Sequence, residues 1–372
     1  MKRKRILMVN KFYPPIVGGI ETVVKDYALM LKEMGYDVTV LTAKKNFSLK
    51  TDITKEEGLT VVRSASFGTL LSMPFSFSLL VFFFCKYRMY DIIHFHEPFP
   101  LASLMSFFKF RKNQKIIVTW HSDIIRQKLL KPPAEMIQRQ LLKKASQITS
   151  TSVRLVETSS LLRKHKNKIQ VIPLSINIKE YQDPGGLLPE GLLPNQYILY
   201  LGRLSSYKGI RILLQAYLQS KVSLPLVIAG QGKESKHIKN FILSNPDCRI
   251  IFLNSYVSHE EKLHLLANCA FLVLPSIFPS EAFGIIQLEA MAFKKPIINT
   301  SLPTGVPWVS IHGLTGITVP PGNISELAQA IVMLSRNDDI REKLGRNGRD
   351  RVFQYFSHDY VINILKGLYE SI

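Results

Sequence analysis

A chain of 372 residues with 46% hydrophobic and 20% charged side chains is too apolar for a disordered chain and long enough for two or three domains with sizeable cores. Its three cysteines, Cys85, Cys248 and Cys269, stand far apart and match neither a zinc nor a redox spacing, which reads as a reducing compartment. The net charge of +20 is one-sided: residues 1–185 carry 30 Lys and Arg against 14 Asp and Glu, and the remainder 18 against 14. That bias points to a polyanionic partner, an anionic membrane or nucleic acid, with a solvated basic surface as the plainer reading.

Residues 1–5 are basic, but the apolar run 6–9 stops at Asn10 and Lys11, so no secretory signal is expected. Short apolar runs then predict strands over 5–10, 37–42, 60–63, 91–96, 115–120, 147–151 and 168–172. Helices are expected over 19–34, 100–108 and 134–145. The stretch 65–85 has no charged side chain and the length of a membrane span. Gly68, Ser72, Pro74, Ser76 and Ser78 interrupt it, so its run 79–84 predicts a buried or interfacial helix instead. Between 181 and 196, Pro184, Gly185, Gly186, Pro189, Gly191 and Pro194 mark a linker. Strands follow over 197–202, 224–229, 249–253, 271–275, 296–299 and 316–319. The helices between them are expected over 209–219, 260–268, 283–293 and 325–335, and the tail 339–372 reads as two or three helices broken near Ser357. This alternation predicts an α/β protein with two doubly wound, Rossmann-like domains, 1–183 and 195–356, whose parallel sheets face each other across a cleft. Ligands of such sheets bind at the carboxyl ends of the strands.

Four segments at such ends carry candidate chemistry. In KFYPPIVGGIE, 11–21, Gly18 and Gly19 open the first helix, where free amides attract anions. The spacing is not G-x-G-x-x-G, so a plain tight turn reads equally well. In VTWHSD, 118–123, His121 follows a strand and is either a structural histidine or a functional one. In LGRLSSYKG, 201–209, Arg203 and Lys208 flank a helix start and suit a diphosphate, with solvated salt bridges as the alternative. The fourth segment is PSIFPSEAFGIIQLEAMAFKKPIINT, 275–300. Glu281 precedes a helix expected from Phe283 and Glu289 lies two turns into it, which places both carboxylates on related faces. The amides of Phe283, Gly284 and Ile285 would point from that helix start at a phosphate. The alternative leaves Glu281 complementing the helix dipole and Glu289 solvated. The apolar setting LEAMA favours a buried Glu289 in need of hydrogen-bond donors, which sugar hydroxyls supply.

These segments, in this order, resemble the family-four retaining glycosyltransferases of the two-domain GT-B fold. The most specific pieces are SEAFGIIQLEAMAFKKPII, 280–298, then TGVPWV, 304–309, and HGLTGITVPPGN, 312–323. HFHEPFP, 94–100, and WHSDIIRQK, 120–128, are similar to bacterial mannosyl- and rhamnosyltransferases of lipopolysaccharide O-antigen assembly. The resemblance implies that Gly18 and Gly19 lie near the donor phosphates and acceptor, and His121 near the transferred sugar. It implies that Arg203 and Lys208 hold the diphosphate and that Glu281 contacts the sugar. It further implies that Glu289 binds the ribose and that the amides of Phe283, Gly284 and Ile285 contact sugar and phosphate. Gly230 and Gly232 in IAGQGKE, 228–234, would line the nucleotide site, and Val257 in SYVSHEE, 255–261, would contact the base. The last helix, 357–372, is expected to pack back on the first domain. Two departures stand out: Ser255 replaces a usual glycine before the tyrosine–valine pair, and TGVPWV occurs in only a subset of the family.

The implied reaction is retaining transfer from a nucleotide sugar, by family likeness mannose or a related hexose from a GDP-sugar, to a lipid-linked saccharide. It would take place on the inner face of the cytoplasmic membrane, with the enzyme bound peripherally to anionic lipid. No Asp-x-Asp is present, so neither a catalytic metal nor a cofactor is expected, and the leaving phosphate would accept the proton. A sugar-nucleotide epimerase of similar fold is the rival enzyme. A nucleic-acid binder is the rival of another class, but no recognised motif supports it, so no nucleic acid is expected as partner.

Overall fold

The computed structural model describes residues 3–16, 18–70, 73–124, 131–182, 184 and 192–372. It divides into two compact units, Met1–Ile172 with Ile362–Ile372, and Pro173–Val361. The boundary thus falls ahead of the Pro- and Gly-rich stretch rather than at 183, and the second unit both starts before 195 and runs past 356. Within that stretch, residues 183 and 185–191 lie outside the described residues, as do 125–128 of the segment 120–128.

The first unit is built on β1 (Arg5–Val9), β2 (Asp37–Ala43), β3 (Asp52–Glu56), β4 (Leu59–Ser64), β5 (Ile92–Glu97), β6 (Lys115–Trp120), β7 (Gln147–Ser150) and β8 (Ile169–Val171). Their order in the sheet is β8-β7-β6-β5-β1-β2-β4-β3. All neighbours are parallel except the β3–β4 hairpin at the edge. In β1, Ile6, Leu7, Met8 and Val9 are all fully buried, because a parallel strand is covered on both faces and needs no polar side. The helices are α1 (Gly19–Glu33), α2 (Phe77–Lys86), α3 (Pro100–Ser103), α4 (Lys131–Lys144) and α5 (Val153–Thr158).

The helix expected over 100–108 is split: α3 gives way to a 3-10 turn at Leu104–Phe107. The stretch 65–85 divides into two short antiparallel ribbons, Phe47–Ser48 with Ser66–Phe67 and Thr69–Leu70 with Met73–Pro74, followed by α2; residues 71 and 72 lie outside the described set. The ten residues of α2 reach about 15 Å, half of the ~30 Å bilayer core. No helix of the described residues is long and apolar enough to cross a membrane.

The second unit contains β9 (Ile198–Leu201), β10 (Leu226–Ala229), β11 (Ile250–Leu253), β12 (Phe271–Val273), β13 (Ile297–Thr300) and β14 (Gly316–Val319). The sheet is wholly parallel, in the order β11-β10-β9-β12-β13-β14. Order reverses between β9 and β12, the place where the loops of a doubly wound sheet diverge and leave a crevice. Its helices are α6 (Ile210–Ser220), α7 (Ser235–Ser244), α8 (His259–Asn268), α9 (Ile286–Ala292), α10 (Val306–Val309), α11 (Ile324–Arg336) and α12 (Asp338–Tyr355). The last helix, α13 (His358–Glu370), follows a break at Phe356 and Ser357, and its residues from Ile362 onward group with the first unit. There the Tyr369 hydroxyl lies 2.7 Å from His94 Nδ1.

Candidate active site

The loops leaving β9 and β12 are held together at the reversal point. From Leu201 the chain passes Gly202 and Arg203 into a 3-10 turn, Ser206–Lys208, before Gly209 caps α6. Gly209 is left-handed, at φ 72°, and a Cβ there would lie 1.9 Å from the Pro275 carbonyl oxygen. Only glycine lets this loop lie against the segment that leaves β12. The Ile277 N–H donates to the Tyr207 carbonyl at 2.9 Å and fixes the same contact.

This approach carries Lys208 onto Glu281. Lys208 Nζ pairs with Glu281 Oε2, and Ser276 Oγ donates to that oxygen at 3.1 Å. The two charged side chains are only 13% and 10% exposed, so each depends on the other for its charge in this setting. Arg203 is exposed on the same loop, and its guanidinium makes no ion pair among the described residues.

Glu281 precedes the helix, as expected, but Glu289 does not lie two turns into it. Helix α9 begins at Ile286, three residues later than expected, because Gly284 at φ 74° turns the chain just before it. A Cβ on Gly284 would sit 2.7 Å from Leu274 Cδ2, so the turn is tied to glycine. Glu281 therefore belongs to the loop. The amides of Phe283, Gly284 and Ile285 are loop amides rather than the start of a helix, and they donate to no described residue. Glu289 lies in the first turn of α9 with partners of its own: Lys262 Nζ of α8 at 2.6 Å and the Tyr181 hydroxyl at 2.8 Å, both on Oε1. It is 8% exposed, so it is not a solvated helix residue.

The turn after β10 braces the Arg203 loop. Gly202 N–H donates to Ala229 O, Leu204 N–H to Gln231 O and Glu234 N–H to Leu204 O, at 3.0, 2.9 and 3.1 Å. Gly230 and Gly232 thus lie beside the Lys208 loop. Val257 is half-buried in the loop from β11 to α8, next to Ser258, which forms a capping box with Glu261. Ser255 is exposed in that loop.

In the first unit, Gly18 precedes α1 and the Glu21 carboxylate folds over it: a Cβ on Gly18 would meet Glu21 Oε2 at 2.1 Å. An acidic group therefore already faces this helix start. A Cβ on Gly19 would meet nothing within 4 Å.

His121 is buried just past β6, its N–H bonded to the Glu97 carbonyl at 2.9 Å. Its Nε2 lies 3.0 Å from His96 Nδ1, and the two rings stack with centroids 5.3 Å apart. His96 stacks in turn on His94, at 4.4 Å. His94 Nε2 lies 2.6 Å from Thr119 Oγ1, itself 2.7 Å from Thr149 Oγ1. His96 Nε2 is buried with no partner among the described residues. A buried lone pair left over costs less than a buried N–H left over, so the proton of His96 belongs on Nδ1, donated to His121. His121 then carries its own proton on Nδ1. Burial holds all three imidazoles neutral: it lowers His94 and His121 to about 3, and neighbouring imidazoles add to the lowering of His96.

Among the described residues no set of three or more His, Cys, Asp and Glu side chains is placed to hold a metal ion.

The family descriptions "Glycosyltransferase Family 4" and "Glycosyl transferases group 1" match residues 17–180 and 192–351. The D-rhamnosyltransferase WbpZ of Pseudomonas aeruginosa is 31% identical over 95% of this chain and 92% of its own length. The chain belongs to glycosyltransferase family 4. The Escherichia coli O-antigen chain mannosyltransferase C is 29% identical across 99% of this chain and 98% of its own. Among solved structures, sucrose-phosphate synthase of Thermosynechococcus elongatus superposes with a TM-score of 0.80 at 22% identity, covering 99% of each chain. Anabaena Alr3699/HepE, solved with UDP and glucose, superposes with a TM-score of 0.75 at 19% identity over the whole of both chains. The fold of this family-4 chain is accordingly GT-B.

Lys262, Ser276, Tyr181 and His96 were not singled out from the sequence. Lys262 and Tyr181 meet Glu289 through long-range packing that leaves no local mark, whereas Ser276 lies only five residues before Glu281 on the same segment. His96 had a signal: His94 and His96 alternate on β5, so both face one side of a strand adjoining β6 and His121.

Proposed function

We propose that this glycosyltransferase moves a hexose, mannose or a relative, from a GDP-sugar onto a lipid-linked saccharide during assembly of a surface polysaccharide, with retention of anomeric configuration. The observation that carries the reading is the buried Lys208–Glu281 pair beside three unengaged loop amides at the reversal point of the second sheet. The mannosyl- and rhamnosyltransferase relatives support the choice of sugar and product class.

In this reaction the bond from the anomeric carbon to the diphosphate oxygen breaks, and the acceptor oxygen bonds to the same face of that carbon. The acceptor proton passes to the leaving phosphate. Lys208, the exposed Arg203 and the amides of Phe283, Gly284 and Ile285 stabilise the charge growing on that phosphate, each donor being worth about 3–4 kcal/mol in a dry site. Cationic groups supply this stabilisation, so the reaction is assigned as metal-independent. Glu281 takes hydroxyls of the sugar, Glu289 takes the ribose, and Gly230, Gly232 and Val257 bound the nucleotide. His121 orients the transferred sugar. The basic first half supports peripheral attachment to the inner face of the cytoplasmic membrane.

A panel of nucleotide sugars, assayed for release of nucleoside diphosphate with and without saccharide acceptors, tests the reading. Turnover is expected with a GDP-hexose and acceptor, giving a product of unchanged anomeric configuration, and Glu281→Ala is expected to lose more than about tenfold while staying folded. Absence of release from every nucleotide sugar, with any acceptor, would remove it.

A further inference from the structure

We infer that the outer face of α2, together with the ribbon before it, is the surface on which the first unit docks to an anionic lipid bilayer; this deepens the proposed membrane attachment and rests on it. Helix α2, FSLLVFFFCK, is apolar on both sides. Leu79 and Phe83 are fully buried, yet Phe77, Val81 and Phe84 are 68%, 60% and 61% exposed. Those three recur at i, i+4 and i+7, one stripe of the helix, where a water-facing surface normally carries charge.

The stripe continues at both ends. The Phe67 ring lies 6.3 Å from Phe77 and 6.2 Å from Phe47, its partner across the ribbon. At the other end Phe84 packs on Phe108 at 5.4 Å, next to the exposed Phe107. Five phenylalanines of about 200 Å² each, more than half exposed, present roughly 600 Å², the upper limit of the largest apolar patch on an ordinary monomer.

The charge around this patch selects the occupant. No Asp or Glu occurs from residue 58 to 90 or from 98 to 122. Lys86 ends α2 and Arg88 follows it, and Lys109 and Lys112 follow the Phe107 turn; all four are exposed and make no ion pair among the described residues. Tyr87 ties the two groups together, its hydroxyl donating to the Lys109 carbonyl at 2.8 Å and accepting from Arg88 Nε at 3.1 Å. Aromatic side chains ringed by unpaired cations, with no acid among them, match an interface of acyl chains beneath anionic headgroups. At ten residues α2 is too short to span, so it would lie in the interface plane.

The test is sedimentation of the full chain with phosphatidylethanolamine–phosphatidylglycerol vesicles, with pure phosphatidylcholine vesicles as control. The triple variant Phe67→Ser, Phe77→Ser, Phe84→Ser is expected to lower partitioning at least tenfold. Lys86→Gln with Lys109→Gln and Lys112→Gln is expected to lower it on anionic vesicles alone. Both variants alter exposed side chains, so melting temperature and donor turnover with a water-soluble acceptor should match the unaltered protein. Unchanged partitioning of the triple variant overturns the docking surface. So does loss of self-association without loss of vesicle binding, which would assign the patch to a second copy of this chain. Failure of the glycosyltransferase reading would appear separately, as absent donor turnover in a protein that still binds vesicles.

Discussion

Lys208→Met separates the structural and chemical roles of the buried pair. Removing one partner of a buried ion pair costs about 3–5 kcal/mol, because the other charge is left in a medium that solvates it poorly. Glu281 keeps the Ser276 hydroxyl and a little exposure, which places the cost near the lower end, at about 3 kcal/mol. For a unit of this size a loss of 1 kcal/mol moves the midpoint by about 2–4 °C, so the second unit should melt roughly 6–12 °C lower. Adding Glu281→Gln removes the stranded charge and leaves an amide that Ser276 can still reach, so most of the lost stability should return. Turnover should not return. On the proposed roles, the missing cation on the leaving phosphate would cost about a hundred- to a thousandfold, and the double variant would lack the proposed sugar-binding carboxylate as well. Scanning calorimetry without donor and a transfer assay on the three proteins read the two effects. Turnover of Lys208→Met within about threefold of the original would make the lysine a structural partner only. A melting point unchanged by Lys208→Met would show that the pair does not form in the free protein.

Acid should destabilise the chain through its buried histidines. An unfolded histidine takes up a proton near 6.5, whereas His94 and His121 do so only near 3. Between those values the unfolded state binds more protons, so stability falls as pH drops from about 6.5 towards about 3, by up to ~1.4 kcal/mol per pH unit for each group. The slope of melting temperature on pH should flatten in His94→Asn and His121→Asn, and an unaltered slope would place the acid sensitivity elsewhere. His96→Leu should lower kcat by about tenfold or more, while His96→Asn, whose amide still donates to His121 Nε2, should rescue it. Nitrogen-15 NMR of the imidazoles supplies the deciding readout: the His121 Nδ1–H tautomer should persist in the Asn variant and be lost in the Leu variant, and the same tautomer in both would reduce His96 to packing.

Much of the architecture was legible because parallel strands buried on both faces read as unbroken apolar runs, as in β1 and β6. What escaped notice had a different physical origin. Strand β3, DITKE, sits at the sheet edge with most of its residues exposed, so neither an apolar run nor an alternation marks it. Its one signal was the turn into β4, where Glu57 and Gly58 both have positive φ, at 51° and 81°. Helix α2 is apolar all round and so gives no period from which its two faces can be told apart. The late start of α9 depends on Gly284, whose turn is set by contact with Leu274 on the segment leaving β12. The pairing of Lys262 with Glu289 joins residues 27 apart, a distance over which no local propensity acts. Residue types at the candidate site were therefore readable, whereas their partners were not.

Those partners shape how a donor would bind. With no donor present, Glu281 and Lys208 neutralise each other. In the proposed complex the lysine turns to the diphosphate and the carboxylate to sugar hydroxyls, so neither buried charge is left alone at either stage. Phosphate binding and sugar recognition are thereby coupled. A nucleoside diphosphate without its sugar would draw Lys208 away and leave Glu281 with only the Ser276 hydroxyl, and that cost falls on the product rather than the donor. On the proposed roles the arrangement would favour release of nucleoside diphosphate once the sugar has moved on. Glu281→Gln should remove the penalty and tighten binding of the bare nucleoside diphosphate relative to the intact donor. Calorimetry showing both ligands weakened equally would uncouple the pair from the reaction and leave Lys208 acting on phosphate alone.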